Sequence, residues 1–154
     1  MPITVKFPHR TDITITHLVL DFSGTLATDG TLLPGVAKRL AVIAKRVKII
    51  VLTADTYGTV VKSLKGKPCS VHVVQTGRQK AKFIKQIGAE NVIAIGNGQN
   101  DVKMICDAVI GIAVIGDEGA SGDVVRAAKV VVQNICTALD LVLNPIRLAA
   151  TLRK

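Results

Sequence analysis

The chain has 154 residues and a formal net charge of +9, and 49% of its residues are hydrophobic although 3% are aromatic and none is tryptophan. This length suits one domain over residues 1–154, with a sizeable core built from Val, Ile, Leu and Ala. No apolar run approaches the roughly 18 residues of a membrane span, and the N-terminal sequence lacks the apolar core of a signal peptide. We therefore expect a cytoplasmic protein without a membrane partner.

The cations and the cysteines each argue against a class of function. Lysine and arginine gather in segments such as "KRLAVIAKRVK" without interleaved aromatic residues, which is typical of solvated helix faces and disfavours nucleic acid as a partner. Cys69, Cys106 and Cys136 are odd in number and far apart, so the sequence indicates neither a disulfide framework nor a zinc site. We expect structural thiols, with Cys106 on the apolar face of a helix.

In chain order, the first predicted elements are two hairpins on either side of an apolar strand. The segments "ITVKFP" and "DITITH" flank a turn, so residues 1–16 are predicted to form a hairpin extension ahead of a core over residues 17–133. The run "HLVLDF" predicts the first core strand. A second small hairpin is predicted in "LATDGTLLPG", where Asp29-Gly30 is a strong turn signal, and it follows Asp21 closely enough to overhang it.

Downstream, short runs rich in β-branched residues alternate with helical patterns. The further predicted strands are "VKIIVLT", "VHVV", "NVIAIG", "IGIAVIG" and "AKVVVQ". The predicted helices cover about residues 35–46, 56–66, 78–88, 98–107, 121–128 and 135–152, the last interrupted near Pro145 and expected to pack on its own domain. This alternation predicts an α/β fold of three layers, in which right-handed βαβ units place helices on both faces of a mostly parallel sheet.

Polar side chains follow several of the predicted strands. Asp21 comes after "LVL", Thr53 after "IIVL", and Asn97 and Asp101 after "VIAIG", while Lys80 lies in the first turn of a predicted helix. In an open parallel sheet, ligands bind beyond the carboxyl ends of the strands, where loops expose backbone amides. These side chains are therefore predicted to meet in one site.

A carboxylate, a hydroxyl, an ammonium and an oxygen-rich loop are the groups needed to attack a phosphoryl group. Asp21 is the predicted nucleophile, and Thr53 with its neighbouring amides would hold the phosphate oxygens. Lys80 would neutralise charge, and Mg²⁺ would be held by Asp21, the Ser23 carbonyl and the loop of Asp101. The expected partner is a small phosphorylated substrate or a nucleotide.

Each of these residues also has a plain structural interpretation. Asp21 can be a turn former at a strand end, and Thr53 can be a helix N-cap. Asn97 can merely cap the following helix. Arg78 and Lys82 stand so close to Lys80 that their order in the sequence does not decide which of the three binds phosphate.

The segments "DFSGTL", "LTADT" and "GRQKAKFIKQIGAENVIAIGNGQNDVKMICDAVIGIAV" resemble the haloacid dehalogenase superfamily of phosphohydrolases, and more narrowly the phosphorylation domains of P-type ATPases and their small soluble relatives. The resemblance covers about residues 18–133. It implies a Rossmann-like sheet of five to six strands in the order 5-4-1-2-3, with the strand of Asp21 in the middle. It also implies that Gly24, Ala54 and Asn100 join Thr53 and Lys80 around the phosphate.

Two positions depart from the pattern of that superfamily. Ser23 stands where phosphatases usually have a second Asp that serves as general acid and base, and such help is typically worth about 10²–10⁴ in rate. Asn97 stands where the motif usually has a magnesium-binding Asp, which removes one negative charge from the metal site. We expect slow turnover and weaker magnesium binding, with Asp101 carrying more of the metal binding.

The spacing of the motifs leaves no room for a cap domain between Asp21 and Thr53 or between Thr53 and Lys80. The site is therefore expected to be open to a bulky substrate or covered by a second subunit of a homo-oligomer. The leading hypothesis is a slow, magnesium-dependent phosphohydrolase of phosphate esters or ATP that forms an aspartyl phosphate. The alternative is a degenerate domain that binds phosphate or a protein, and a kinase-phosphorylated receiver domain fits less well.

Overall fold

The computed structural model describes residues 1–55 and 59–154. The strands, in chain order, are β1 (Ile3–Val5), β2 (Ile13–Ile15), β3 (His17–Leu20), β4 (Ala27–Thr28), β5 (Thr31–Leu32), β6 (Lys48–Thr53), β7 (Ser70–Val73), β8 (Val92–Gly96), β9 (Ile110–Val114) and β10 (Val130–Val132). The helices are α1 (Val36–Ile43), α2 (Val60–Ser63), α3 (Gly77–Ile87), α4 (Val102–Asp107), α5 (Gly122–Ala127), α6 (Ile135–Leu143) and α7 (Pro145–Leu152).

Six of these strands form a central parallel sheet in the order β10-β9-β8-β3-β6-β7. This arrangement confirms the predicted order 5-4-1-2-3 and adds a sixth strand beside the fifth. In the middle of the sheet, Leu20 pairs with Val51 on one side and with Ile95 on the other. The residues that follow these three strands therefore leave the sheet at the same edge.

Helices cover both faces of the sheet, as predicted. One face packs against α1 and α6 and continues into α7 and the N-terminal hairpin, through buried residues such as Leu40, Ile43 and Leu139. The other face packs against α3, α4 and α5 through residues such as Ile84 and Met104. The strands β8 and β9 are apolar along their whole length, as expected for strands with both faces buried.

Both predicted hairpins are present. The strands β1 and β2 pair antiparallel, and Ile15 is fully buried against the core. The strands β4 and β5 pair across Asp29 and Gly30, whose φ angles of 50° and 82° are the two positive values that a tight type I′ turn requires. The backbone N–H of Asp29 donates a hydrogen bond of 3.0 Å to Glu118 Oε2, which joins this second hairpin to the loop after β9.

Two local predictions differ from the structure, and a third is confirmed. Part of the predicted helix 56–66 is seen as α2, and residues 56–58 lie outside the described residues. The predicted interruption of the segment 135–152 near Pro145 is confirmed, since it forms two helices, α6 and α7, which bend by 104° where Pro145 begins the second. The prediction that Cys106 is buried is wrong, because Met104 and Ile105 take the buried side of α4 and Cys106 is exposed.

Among the described residues, no single helix is long and apolar enough to cross a membrane. The pair α6 and α7 reaches that length and composition together, but with the sharp bend between them. Buried residues of both helices, including Leu139 and Leu148, belong to the core, as expected for a C-terminal segment that packs on its own domain.

Candidate active site

Asp21 follows β3 directly and lies almost fully buried at the carboxyl edge of the sheet, with 5% of its surface exposed. Its backbone N–H donates a hydrogen bond to Ile95 O at 3.0 Å, which holds it in line with the end of β8. One carboxylate oxygen, Oδ1, accepts a hydrogen bond from Lys80 Nζ at 2.9 Å, and the other, Oδ2, accepts one from Thr25 Oγ1 at 3.1 Å. The carboxylate is thus fixed in orientation by two groups.

Lys80 connects Asp21 to a second buried carboxylate. Its Nζ also donates to Asp101 Oδ1 at 2.7 Å, and the side chains of Lys80 and Asp101 are both 0% exposed. Lys80 reaches this position because α3 begins at a capping box, in which Thr76 and Gln79 satisfy each other's backbone N–H groups. The sequence prediction that Lys80 lies in the first turn of a helix is confirmed.

Asp101 organises the loop between β8 and α4. Its Oδ2 accepts hydrogen bonds from the backbone N–H groups of Asn97 at 3.1 Å and Gly98 at 3.0 Å, while its Oδ1 is taken by Lys80. Both oxygens therefore have protein donors. A role for Asp101 as a metal ligand stays a prediction; Oδ1, with Lys80 as its one donor, keeps a lone pair that such a role would use.

Burial dominates the electrostatics of this cluster. It raises the pKa of Asp21 to about 7, with the charge of Asp101 adding to the effect and with Lys80 and Thr25 opposing it. Burial alone would lower the pKa of Lys80, but the two carboxylates outweigh it and the net pKa is raised. With Asp21 ionised, two carboxylates share one ammonium, so the cluster has an excess negative charge that favours a cation.

Thr25 is a site residue that the sequence analysis missed. Its single hydroxyl proton faces two acceptors, Asp21 Oδ2 at 3.1 Å and Asn97 Oδ1 at 3.2 Å. The amide of Asn97 is oriented by its Nδ2, which donates to Gly119 O at 3.0 Å. Because one proton cannot serve both acceptors, at least one of these two oxygens keeps a lone pair without a donor from Thr25.

Gly24 and Ser23 line the turn after Asp21. Gly24 has a φ of 77°, and a Cβ at this position would lie 2.9 Å from Asn97 Cγ, so glycine allows the turn to touch the β8–α4 loop. The Oγ of Ser23 is buried and has no hydrogen-bond partner among the described residues. Buried hydroxyl groups usually have a hydrogen-bond partner. The Ser23 hydroxyl, at the position where related phosphatases usually have the acid–base Asp, makes no such stabilising contact among the described residues.

The remaining predicted residues stand around the same edge. Thr53 ends β6 and is buried, and its Oγ1 accepts a hydrogen bond from the backbone N–H of Asp55 at 3.0 Å. Ala54 is half-buried and Asn100 is exposed. A Cβ on Gly77 would lie 2.6 Å from Asn100 O, so the start of α3 packs directly on the loop that carries Asn100.

A divalent cation would find oxygen ligands here, but few charged ones. The described residues contain no group of three or more His, Cys, Asp or Glu placed to hold a metal. What the site offers is the Asp21 carboxylate and the Asn97 amide oxygen, both facing Thr25. Carboxylate and amide oxygens are ligands of Mg²⁺, which keeps several waters when it binds to proteins.

The sequence and the fold both match known proteins. Residues 36–137 match a family model described as haloacid dehalogenase-like hydrolase. An uncharacterized protein of Methanocaldococcus jannaschii is 46% identical in an alignment over 78 residues that covers 48% of this chain and 84% of that protein.

Among solved structures, the cobalt-bound deoxy-D-mannose-octulosonate 8-phosphate phosphatase of Haemophilus influenzae superposes with a TM-score of 0.72 at 16% identity, covering 91% of this chain and 94% of that one. The corresponding enzyme of Moraxella catarrhalis, bound to magnesium, phosphate and its sugar, gives 0.65 at 15% identity with 88% and 90% covered. The catalytic domain of the CPx-ATPase CopB-B gives 0.62 at 22% identity with 73% and 46% covered. At these identities the likeness concerns the fold.

Proposed function

The chain belongs to the haloacid dehalogenase-like hydrolases, and from this premise we propose that it is a metal-dependent phosphate-ester hydrolase in which Asp21 is the nucleophile. The observation that carries the proposal is the position of Asp21. It follows the central strand of the sheet, is almost fully buried, and is held by Lys80 Nζ at 2.9 Å. A carboxylate desolvated in this way is unfavourable for folding, so its presence points to chemistry.

In the proposed reaction, a carboxylate oxygen of Asp21 attacks the phosphorus of the substrate. The bond from phosphorus to the ester oxygen breaks with its electron pair, and the leaving alkoxide takes a proton from water. Water then attacks the phosphorus of the aspartyl phosphate, which releases inorganic phosphate and restores the carboxylate. No oxidant or reductant takes part.

Lys80 and Thr53 have separate parts in this proposal. The pKa of Lys80 is raised, so its ammonium stays protonated. It therefore offsets the negative charge of Asp21 as the phosphate dianion approaches. Thr53 uses an oxygen lone pair to cap the following turn, which leaves its hydroxyl proton available for a phosphate oxygen. Backbone amides beside Ala54 and Gly24 would complete the set of donors.

The residues present fit a magnesium ion, with Asp21, Asn97 and the Ser23 carbonyl as its protein ligands. The supporting observation is the shared Thr25 proton, which leaves an acceptor oxygen free at that point of the site. When bound, the ion would supply charge neutralisation between carboxylate and phosphate. Because Asn97 contributes no charge, we expect weak binding.

Ser23 makes a slow second step the expected behaviour. A serine hydroxyl is far less acidic than a carboxylic acid, so the leaving group and the attacking water lack an efficient proton donor and acceptor at this position. The aspartyl phosphate is then expected to accumulate, and substrates with good leaving groups are expected to react fastest.

The substrate class is a small phosphate ester. A cavity of about 230 Å³ lies beside Thr25 and is lined in part by Pro34, Asp117, Asn134 and Cys136. The cavity shares Thr25 with the candidate site but includes none of Asp21, Thr53 and Lys80, so its volume sets no upper limit on the substrate. ATP and the sugar 8-phosphates of the structurally similar phosphatases belong in the substrate panel for comparison.

The proposal is tested with p-nitrophenyl phosphate, with magnesium or with a chelator, on the wild type and on Asp21→Asn. We expect metal-dependent release that is absent from the variant, with a burst of one equivalent before slow turnover. Trapping the phosphoenzyme with labelled substrate should mark the wild type but not the variant. Equal release by both proteins would contradict the proposal.

Two observations favour a second candidate, a domain that binds phosphate without hydrolysing it. Ser23 lacks an acidic group, and burial keeps the pKa of Asp21 at about 7, so part of the population is protonated at neutral pH. In that case Ser23→Asp would not raise the release of p-nitrophenol. A clear rise in Ser23→Asp that disappears in the double variant with Asp21→Asn would favour the enzyme.

A further inference from the structure

The loop between β9 and α5, residues 115–121, contacts two parts of the candidate active site. Gly119 O accepts a hydrogen bond from Asn97 Nδ2 at 3.0 Å, and the backbone N–H of Ser121 donates to Asn97 O at 2.9 Å. A Cβ on Gly116 would lie 3.3 Å from Gly24 O, so the backbone of this loop also packs on the turn that follows β3. The loop therefore holds Asn97 by both its backbone and its side chain.

A tight turn in this loop places Glu118 beside the hairpin of β4 and β5. The backbone N–H of Gly119 donates to Gly116 O at 3.3 Å, which closes the turn. The φ angles are 54° at Gly116 and 74° at Gly119, a conformation that residues with a side chain rarely adopt. Glu118 lies between these two glycines and is exposed, and its Oε2 accepts the hydrogen bond of 3.0 Å from the backbone N–H of Asp29.

The tip of this hairpin, formed by Asp29 and Gly30, is held from two sides. Glu118 bonds it to the loop after β9. Thr59, at the start of α2, bonds it to the segment after β6, because Thr59 Oγ1 donates to Gly30 O at 3.4 Å. In the sheet, β6 and β9 lie on opposite sides of β3, the strand that leads to Asp21. A hairpin fastened at both points spans the carboxyl end of β3.

The same loop determines the direction of the Asn97 amide. The oxygen and the nitrogen of this amide lie on opposite sides of one planar group, so the bond from Nδ2 to Gly119 O fixes where Oδ1 points. Oδ1 lies 3.2 Å from Thr25 Oγ1, which is 3.1 Å from Asp21 Oδ2. A continuous set of contacts thus leads from the hairpin tip, through Glu118 and its peptide bond to Gly119, to the two side chains that are proposed to bind magnesium.

We propose that Glu118 is a positioning residue, which fastens the hairpin tip to the loop that orients Asn97. Its effect on Asn97 passes through the backbone of Gly119. Groups that hold a metal ligand in place influence metal affinity, although they do not touch the metal. Without the Glu118 carboxylate, the hairpin and the loop lose this connection and the Asn97 amide is held less firmly. The effect on magnesium rests on the proposed function, whereas the orientation of Asn97 does not.

The experiment compares Glu118→Ala with Glu118→Gln, which keeps an acceptor oxygen at the same reach. Hydrogen exchange of the Asp29 backbone amide is measured by NMR in the metal-free protein. Glu118→Ala should speed this exchange about fivefold, and Glu118→Gln should stay within about twofold of the wild type. Glu90→Ala is the matched control, because Glu90 is also an exposed glutamate and lies just before β8, at the opposite edge of the sheet. An unchanged rate in Glu118→Ala, or an equal rise in Glu90→Ala, would overturn the proposal.

The side-chain amide protons of Asn97 test the positioning itself. In the same metal-free samples they should exchange about threefold faster in Glu118→Ala, and Glu118→Gln should restore the wild-type rate. Unchanged exchange of these protons would overturn the positioning role even if the hairpin tip were released. Urea unfolding of each variant gives the change in global stability. A rise in exchange no larger than that change explains would overturn the proposal, because it would indicate a merely structural role.

Magnesium binding tests the consequence for the metal site. A titration followed by the same Asn97 signals should give an affinity about threefold lower in Glu118→Ala than in the wild type. Equal affinity, or no binding by the wild type, would overturn the effect on the metal, while the exchange of the Asn97 amide decides the positioning role in either case. None of these measurements uses turnover. A wild type that does not hydrolyse p-nitrophenyl phosphate would therefore refute the proposed function and not the role of Glu118.

Discussion

Replacing Asp21 by Asn is expected to stabilise the metal-free protein, and by an amount that depends on pH. Burial raises the pKa of this carboxyl from an ordinary value of about 3.9 to about 7. Between those two values the folded protein holds a proton that the unfolded chain has lost, so stability falls as the pH rises through this window and levels off above about 7. This is the opposite of the usual behaviour of a salt-bridged Asp.

The two pKa values of Asp21 differ by about 3, and each pH unit between them is worth about 1.4 kcal/mol of unfolding free energy. The expected gain in stability from Asp21→Asn therefore has an upper value of about 4 kcal/mol at pH 8 and about a third of that at pH 5. Asn resembles the protonated form and does not have this loss. Urea unfolding of both proteins at pH 5 and pH 8, with a chelator present, measures the difference. Asp55→Asn is the matched control because Asp55 is an exposed carboxylate near the same edge. An Asn variant that is less stable at pH 8, or a difference that is the same at both pH values, would refute the reasoning.

Three further substitutions test the contacts of the site. Lys80→Met removes the ammonium that Asp21 and Asp101 share. Because two buried carboxylates are then left without their partner, the unfolding free energy should fall by about 3–5 kcal/mol and phosphoenzyme formation should be abolished. A variant of wild-type stability would show that the pairing is unimportant. Thr25→Val should lower turnover at least tenfold, whereas Thr25→Ser should retain wild-type turnover, because the hydroxyl group and not the methyl group contacts Asp21 and Asn97. Equal activity of the Val and Ser variants would contradict this. Asn97→Asp should tighten magnesium binding at least tenfold in a calorimetric titration, with the gain shrinking at high salt; unchanged affinity would place the metal away from residue 97.

The type of the strands and the parallel sheet followed from local patterns, whereas the strand order 5-4-1-2-3 came from the resemblance to the haloacid dehalogenase superfamily. A buried parallel strand needs an unbroken apolar run, and the alternation of such runs with helical segments leaves few possible topologies. The turn at Asp29-Gly30 could also be predicted from the sequence, because a turn with two consecutive positive φ angles favours that pair of residues. Pro145 predicted the interruption between α6 and α7, but the sequence did not predict the angle of the bend.

Side-chain exposure on a short helix was harder to predict. In α4 the six residues leave little periodicity to measure, and the buried side is decided by what β8 and β9 present to it. Cys106 was therefore placed on the wrong side. The roles of Asp101 and Thr25 raise the same difficulty, since a carboxylate or hydroxyl in a loop has no pattern that distinguishes a ligand from a positioning group.

The sequence by itself determined the α/β architecture, the absence of room for a cap between the motifs, and the five polar positions at the ends of strands and the start of a helix. Periodicity and strand-end composition depend on residues that are neighbours along the chain, so they are visible in the sequence itself. Only the tertiary structure decided that Lys80 bridges Asp21 and Asp101 and that Thr25 stands between Asp21 and Asn97. Those contacts join residues from 4 to 72 positions apart, and their chemistry depends on burial, which arises when the layers close on each other.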